Sequence, residues 1–481
     1  MIKSSLRDLL PLHLSAGEPF YRQIYTRFRN AIADQLLKPG DRIPSARALA
    51  EELGVARGTI EAAYSLLSAE GYVETRGQAG TIVTLGLKPG SHAGHAPQEA
   101  ATSTVSSRAA ATSALHLPTP LPFQMGLPAL DAFPRKLWSR LAARTIRATA
   151  QSDMTYPPYA GVAALRNEIA TYLQLSRGAA CTPEQVFVTS GYRETLQLIT
   201  GALFKPGDKV WTEDPGYMPT GQALLHAGVT PVPVPVDEEG IQVALGVRAA
   251  PRARAAIVTP AHQSPLCVSL SLQRRFALLD WAARANAWIV EDDYDGEYRY
   301  VGRPLPAQQS LDRDGRVLYA GTFSKVLFPG IRLAYLVVPA SQIERFAAVS
   351  QTMFSGSPAL TQSIVADFIA DGHFARHVQR MRKLYGERRK IAAEGLDSLL
   401  AKYLRVDSQP GGMHLILRMR GRRSDKPLAE AMRKDGMYAH TLSQRSIQHQ
   451  VPPGLLLGFT NIDSATTIEA LAQRILKLIN N

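Results

Sequence analysis

The sequence predicts two folded parts of different class: a small helical head closed by a β-hairpin, and a large α/β body ending in a smaller α+β lobe. Three observations carry this. The 481-residue chain changes composition at about residues 86–120, GLKPGSHAGHAPQEAATSTVSSRAAATSALHLPTP, where Ala, Ser, Thr, Gly and Pro displace large apolar residues. Such a stretch buries too little surface to offset its ordering entropy and reads as a flexible linker. Ahead of it, at 1–85, three helical patterns precede two strand-like runs. Behind it, at 121–481, strand-like runs alternate with helical ones.

In the head, Phe20, Ile24, Phe28 and Ala31 share one face of a helix predicted over 20–37, stopped by Lys38-Pro39-Gly40-Asp41. Ser45 caps a second helix with Ala48, Leu49 and Leu53 apolar, and Gly54 breaks it. A third helix is predicted over 59–69, with Ile60, Ala63, Tyr64 and Leu67 inward. Tyr72–Thr75 and Thr81–Thr84, joined by a turn at 76–80, form the hairpin. This is the order of a winged helix-turn-helix, whose third helix enters the DNA major groove N-terminus first. The expected DNA-contacting set is Ser45, Arg47, Arg57, Gly58, Thr59, Arg76 and Gly80. The formal charge of +13 favours a polyanionic partner, though charge alone decides nothing without the motif.

In the body, strands are predicted over 186–189, 209–212, 256–259, 287–291, 317–320 and 333–338, several separated by helices, so a largely parallel sheet is expected. From about Ala340 the pattern is helix-rich, as for a smaller α+β lobe. No apolar run reaches the roughly 18 residues that span a bilayer, and the first 20 residues lack a signal-peptide pattern. A cytoplasmic location is expected. The only cysteines, Cys181 and Cys267, make no disulfide framework, and no metal site is expected.

The chemical signal lies in Gly321-Thr322-Phe323-Ser324-Lys325 and Phe328-Pro329-Gly330-Ile331-Arg332. A lysine after a buried strand, inside a Ser/Thr/Gly loop, suits Schiff-base chemistry. Thr322, Ser324 and Arg332 are placed to hold a phosphate beside it. The strand ending Ile289-Val290-Glu291-Asp292-Asp293-Tyr294 supplies an acid for a pyridinium nitrogen and a phenol for a ring hydroxyl, which pyridoxal 5′-phosphate (PLP) requires. Strand alternation puts Asp292 and Tyr294 on one face. Asp293 and Asp295 read as a surface acidic turn.

At KPGDRIPSARALAEELGVARGTIEAAY and LLSAEGYVETRGQAGTIV the head resembles the GntR-type winged helix, with Ala56 and Gly58 where that family often has Ser and Asn. From about Leu121 onward the body resembles the fold-type I (class I) aminotransferases. The whole resembles the MocR-type subfamily of GntR regulators. The resemblance implies that Tyr156 reaches the partner subunit's cofactor phosphate, and that Ser190, Gly191 and Tyr192 form a phosphate cup. It implies that Tyr217 stacks on the ring, Asp292 meets the ring nitrogen, and Tyr294 meets the ring hydroxyl. It further implies that Lys325 forms the Schiff base and Arg332 binds phosphate. His262 and Gln263 match a His-Gln pair that the subfamily carries, and His262 joins the cofactor-binding set.

Two departures bear on function. Ser264-Pro265-Leu266-Cys267 replaces the Asn-Pro-Thr-Gly of aminotransferases, which leaves one contact to the ring hydroxyl open and makes Cys267 a packed small residue. Leu455-Leu456-Leu457-Gly458-Phe459 stands where aminotransferases place an arginine for the substrate carboxylate. Arg445 is a candidate for that role, or a surface arginine. The reading is therefore a PLP-dependent, DNA-binding, homodimeric regulator that senses an amino compound or a B6 vitamer. The alternative is an aminotransferase with an accessory DNA-binding head.

Overall fold

The computed structural model describes residues 19–480 except 77–79, 86–119, 301–305, 408 and 410. The expected linker (all but residue 120), the tip of the wing turn and the first 18 residues lie outside the described residues. The chain divides into two compact units, Met1–Leu115 and His116–Asn481.

The first unit holds helices Phe20–Ala33, Ala46–Leu53 and Arg57–Ala69, then strands β1 (Val73–Thr75) and β2 (Thr81–Val83), which pair antiparallel with Val73 opposite Val83. The first helix stops earlier than residue 37, because Gln35 turns to φ 59° and Leu37 N–H returns to the Ala31 carbonyl. Ser45 Oγ accepts the Ala48 N–H at 3.2 Å, and Gly54 closes that helix at φ 65°. The third helix begins at Arg57, two residues earlier than expected, because extended Ala56 takes the cap position. Ile24, Phe28, Leu49, Ile60, Leu67 and Val83 form one core, with Phe28 edge-on to Tyr64 at 5.6 Å.

The second unit is built on a sheet of eight strands. They are β3 (Val186–Thr189), β4 (Lys209–Asp214), β5 (Thr230–Asp237), β6 (Gly240–Ile241), β7 (Ala255–Val258), β8 (Trp288–Asp293), β9 (Val317–Thr322) and β10 (Ala334–Val337). Their order is β3-β10-β9-β8-β7-β4-β5-β6, and from β9 across to β5 the strands are parallel. Helices cover both faces of such a sheet, which is why its central strands read as unbroken apolar runs. Strands β4, β8 and β9 each run two residues beyond their predicted ends and so carry Asp214, Asp292 and Thr322 to one edge. Strand β5 is not apparent in the sequence. Its Pro231, Pro233 and Pro235 alternate with valines, and it survives because it lies beside the sheet's edge, where lost N–H donors matter least.

The smaller lobe has an antiparallel sheet of order β11-β12-β14-β13: β11 (Leu404–Val406), β12 (His414–Met419), β13 (His440–Thr441) and β14 (Gly454–Gly458). Helices His373–Leu400 and Ala465–Asn480 pack with it through Leu396, Leu400, Leu415, Leu455, Ile468 and Ile475. No helix among the described residues is long and apolar enough to cross a membrane.

Candidate functional site

Strands β4, β7, β8 and β9 run the same way. So does β3, because it is antiparallel to β10, itself antiparallel to β9. Ser190, Asp214, Thr259, Asp292 and Lys325 therefore all emerge at one edge, the usual ligand edge of such a sheet. A cleft opens there, lined among others by Tyr192, Glu213, Tyr217, Thr259, Asp292 and Arg445.

Half-buried Lys325 donates from Nζ to the Gly126 carbonyl at 2.9 Å. Burial lowers its pKa, although Asp295 and Asp292 pull the other way, so the reactive neutral amine is favoured. Gly126 went unnoticed in the sequence. Its φ is 75°, and an added Cβ would lie 2.5 Å from Lys325 Nζ.

Asp292 is buried, which pushes its pKa up to about 8; the neighbouring Tyr192 hydroxyl works against that, and Asp293, Glu213 and Asp295 reinforce it. A cation beside Asp292 would restore the carboxylate. The Tyr192 and Tyr217 rings lie 6.1 Å apart, with Tyr217 44% exposed and so open to stacking. Tyr294 falls one residue beyond the end of β8 rather than within it. Its hydroxyl is 3.1 Å from His262 Nδ1, which also lies 3.1 Å from Asp295 Oδ1. Burial opposes a charged His262, but Asp295 and Cys267 outweigh it and raise its pKa.

Asp293 and Asp295 are not a surface turn. Both are buried. Asp295 holds His262, and Asp293 Oδ2 accepts the Tyr319 hydroxyl and pairs with Arg177 Nε at 2.8 Å. Arg177 also meets Glu297 at 3.3 Å. The partner Arg177 is more than a hundred residues away, so the sequence could not reveal it.

Gly191 caps the helix Tyr192–Leu203 at φ 123°, and a Cβ there would sit 3.4 Å from the exposed Arg332 guanidinium. The helix N-terminus and the arginine together make an anion cradle. Ser190 Oγ lies 3.0 Å from Ser357 Oγ, a neighbour 167 residues away that no local motif signals. Thr322 Oγ1 accepts the Ser324 N–H at 3.1 Å, which shapes the loop ahead of Lys325. Tyr156 stands apart at 95% exposure.

Cys267 is buried as expected, but it is not inert packing alone. Its Sγ lies 3.2 Å from His414 Nε2. Burial raises a thiol's pKa, yet His414 and His262 outweigh it and lower this one to about 6. Arg445 is half-buried at the cavity rather than on the outer surface. Its carbonyl accepts the Gly216 N–H, while Asp214 accepts the N–H groups of Ile447, Gln448 and His449 at 2.7–2.8 Å. These bonds fasten the Arg445 loop to the Tyr217 loop.

In the head, Arg47, Arg57, Gly58 and Arg76 are exposed. Thr59 is half-buried, and Ser45 is occupied as a cap. Arg57 pairs with Glu61 at 2.8 Å and Arg76 with Glu74 at 2.7 Å. Gly80, at φ 80°, packs beside the Arg42 guanidinium. The exposed ion pairs leave both arginines free to exchange carboxylate for phosphate, since such pairs are weak.

The residues at the sheet edge fit PLP: a lysine with a lowered pKa, a buried acid wanting a cation, and an anion cradle where a helix N-terminus at Gly191 meets the Arg332 guanidinium. The fold and site thus define a protein with an N-terminal winged helix-turn-helix and an aminotransferase-like body. Residues 20–83 match the bacterial regulatory proteins of the gntR family, and residues 130–461 match aminotransferase class I and II. The chain belongs to the MocR-type members of the GntR regulators. It is 38% identical to a probable rhizopine catabolism regulatory protein MocR of Rhizobium meliloti, over 96% of this chain and 94% of that one. It is 33% identical to an HTH-type pyridoxine biosynthesis transcriptional regulator PdxR of Corynebacterium glutamicum, over 96% and 97%. Among solved structures, an archaeal alanine:glyoxylate aminotransferase shares 26% identity at a TM-score of 0.69, over 75% of this chain and 91% of that one.

Proposed function

We propose that this protein is a transcriptional regulator that binds operator DNA through its winged helix and senses an amino compound or B6 vitamer through PLP held by Lys325. The observation that carries the reading is the convergence of Lys325, Asp292 and the Gly191–Arg332 cradle on one sheet edge, in a chain that also carries the winged helix. When bound, PLP supplies an electrophilic carbonyl and an electron-withdrawing ring. Lys325 offers the amine, Asp292 the acid for the ring nitrogen, and Tyr294 with His262 donors for the ring hydroxyl. Ser190, Gly191, Thr322, Ser324 and Arg332 take the phosphate, and Tyr217 covers the ring face.

Buried Leu456 has no group for a substrate carboxylate, which weighs against efficient turnover of α-amino acids. Exposed Tyr156, near exposed Met154 and Tyr159, suits a homodimer in which each chain completes the other's site. The roles of 1–85 as DNA reader, 86–120 as linker and 121–481 as sensor follow, in the cytoplasm. A ligand that binds two conformations unequally would then shift DNA affinity.

The test is absorbance with DNA binding. The full-length protein should gain a visible band with PLP, and borohydride should fix the cofactor to Lys325, as read by peptide mass. Lys325→Ala should lose that adduct, and Arg57→Ala should lose specific operator binding. A colourless wild-type protein after PLP addition would sink the cofactor reading; an Arg57→Ala protein with normal operator affinity would sink the DNA role.

A further inference from the structure

Asp295, which no part of the cofactor reading uses, is placed to decide where the Tyr294 proton points. His262 follows β7, while Tyr294 and Asp295 follow β8, so two turns at the sheet edge bring the three together. His262 Nδ1 lies 3.1 Å from both the Tyr294 hydroxyl and Asp295 Oδ1. A carboxylate only accepts hydrogen bonds, whereas a phenol hydroxyl can donate or accept. Facing Asp295, Nδ1 keeps its proton whether the ring is charged or neutral. The Tyr294 oxygen is then an acceptor from His262, and its own proton must point elsewhere. Without Asp295 the phenol could turn that proton onto a bare Nδ1.

No other group competes for the choice. His262 Nε2 makes no hydrogen bond among the described residues. The His414 ring, 6.2 Å away, is engaged with Cys267 Sγ and the Pro265 carbonyl. The His262 ring has no room to swing aside. Gly412, at φ 89°, lies so close that a Cβ there would strike it, and the Gly412 N–H is fastened to the Tyr298 carbonyl at 2.8 Å. Asp295 is 1% exposed, and its Oδ2 has no partner among the described residues. Burying a carboxylate is costly, and this one serves a single histidine.

We infer that Asp295 is a positioning residue for the cofactor: through His262 it turns the Tyr294 proton towards the ring hydroxyl. This rests on the PLP site proposed above.

A pH titration of the lysine-bound band in the full-length, PLP-loaded protein tests it. A donor aimed at the ring oxygen stabilises that oxygen without a proton, so it lowers the pH at which the band changes. Tyr294→Phe should raise the midpoint by about one pH unit or more, the size of a hydrogen bond to a charged group. Asp295→Ala should raise it similarly, and Asp295→Asn, which keeps an accepting carbonyl, by less. Loss of a negative charge would by itself lower the midpoint, so a rise reports the phenol. The double variant Tyr294→Phe/Asp295→Ala should lie no higher than Tyr294→Phe, because Asp295 acts only through the phenol. An unchanged or lowered midpoint in Tyr294→Phe or Asp295→Ala overturns the assignment. So does a double variant higher than Tyr294→Phe, or loss of the band in either single variant while the wild type forms it. A wild-type protein that forms no lysine-bound band would instead refute the cofactor reading beneath it.

Discussion

Replacing Asp292 by Asn should stabilise the cofactor-free protein and weaken the cofactor-bound one. Burial raises the pKa of Asp292 from 3.8 to about 8, so between those values the native state keeps a proton that the unfolded state releases. The native state therefore binds more protons there, and stability falls as pH rises through the window. At pH 7 roughly three pH units separate the medium from the unfolded pKa, and each is worth about 1.4 kcal/mol, a ceiling of about 4 kcal/mol. Relaxation around the site reduces this, and a gain of roughly 2–4 kcal/mol is expected for Asp292→Asn at pH 7. It should shrink towards zero near pH 4. The amide matches the protonated acid in size and polarity, so the substitution leaves no cavity. With PLP bound, the ring-nitrogen cation pairs with the carboxylate, and the sign reverses: the variant should bind PLP at least about ten-fold more weakly. All four tryptophans (Trp138, Trp211, Trp281 and Trp288) lie in the body, so urea unfolding followed by their fluorescence reports on that unit. A cofactor-free variant less stable than wild type at pH 7, or a difference unchanged between pH 4 and 8, would refute the reasoning.

Asp214→Ala removes three charge-assisted acceptor contacts, and amide exchange at Ile447, Gln448 and His449 should accelerate at least about ten-fold by mass spectrometry. Gly126→Ala places a methyl against Lys325 Nζ at a positive φ, and PLP titration should show at least about ten-fold weaker loading. Arg177→Leu strands Asp293 and Glu297 in the core, so denaturant unfolding should show a loss of about 3–5 kcal/mol.

Local patterns determined a great deal by themselves. The helical spacing around Phe28 and Ile60, the Ser45 cap and the hairpin placed the winged helix to within a few residues, because caps and periodicity are short-range effects. The loop around Lys325 and the acids ending β8 announced a cofactor site, because each motif concentrates several groups of one chemistry within ten residues. Tertiary structure decided what those groups meet. Asp293 and Asp295 look like a surface turn in isolation. They are buried because Arg177 and His262 come to them from other elements. Prolines hid β5, since only its place beside the sheet's edge makes their missing donors harmless. Gly126 as the acceptor for Lys325, and Arg445 at the cavity wall, depend on segments over a hundred residues from the motifs they serve. Whether a charge is buried, paired or left facing a cavity depends on packing between distant segments, and no window of sequence contains that information.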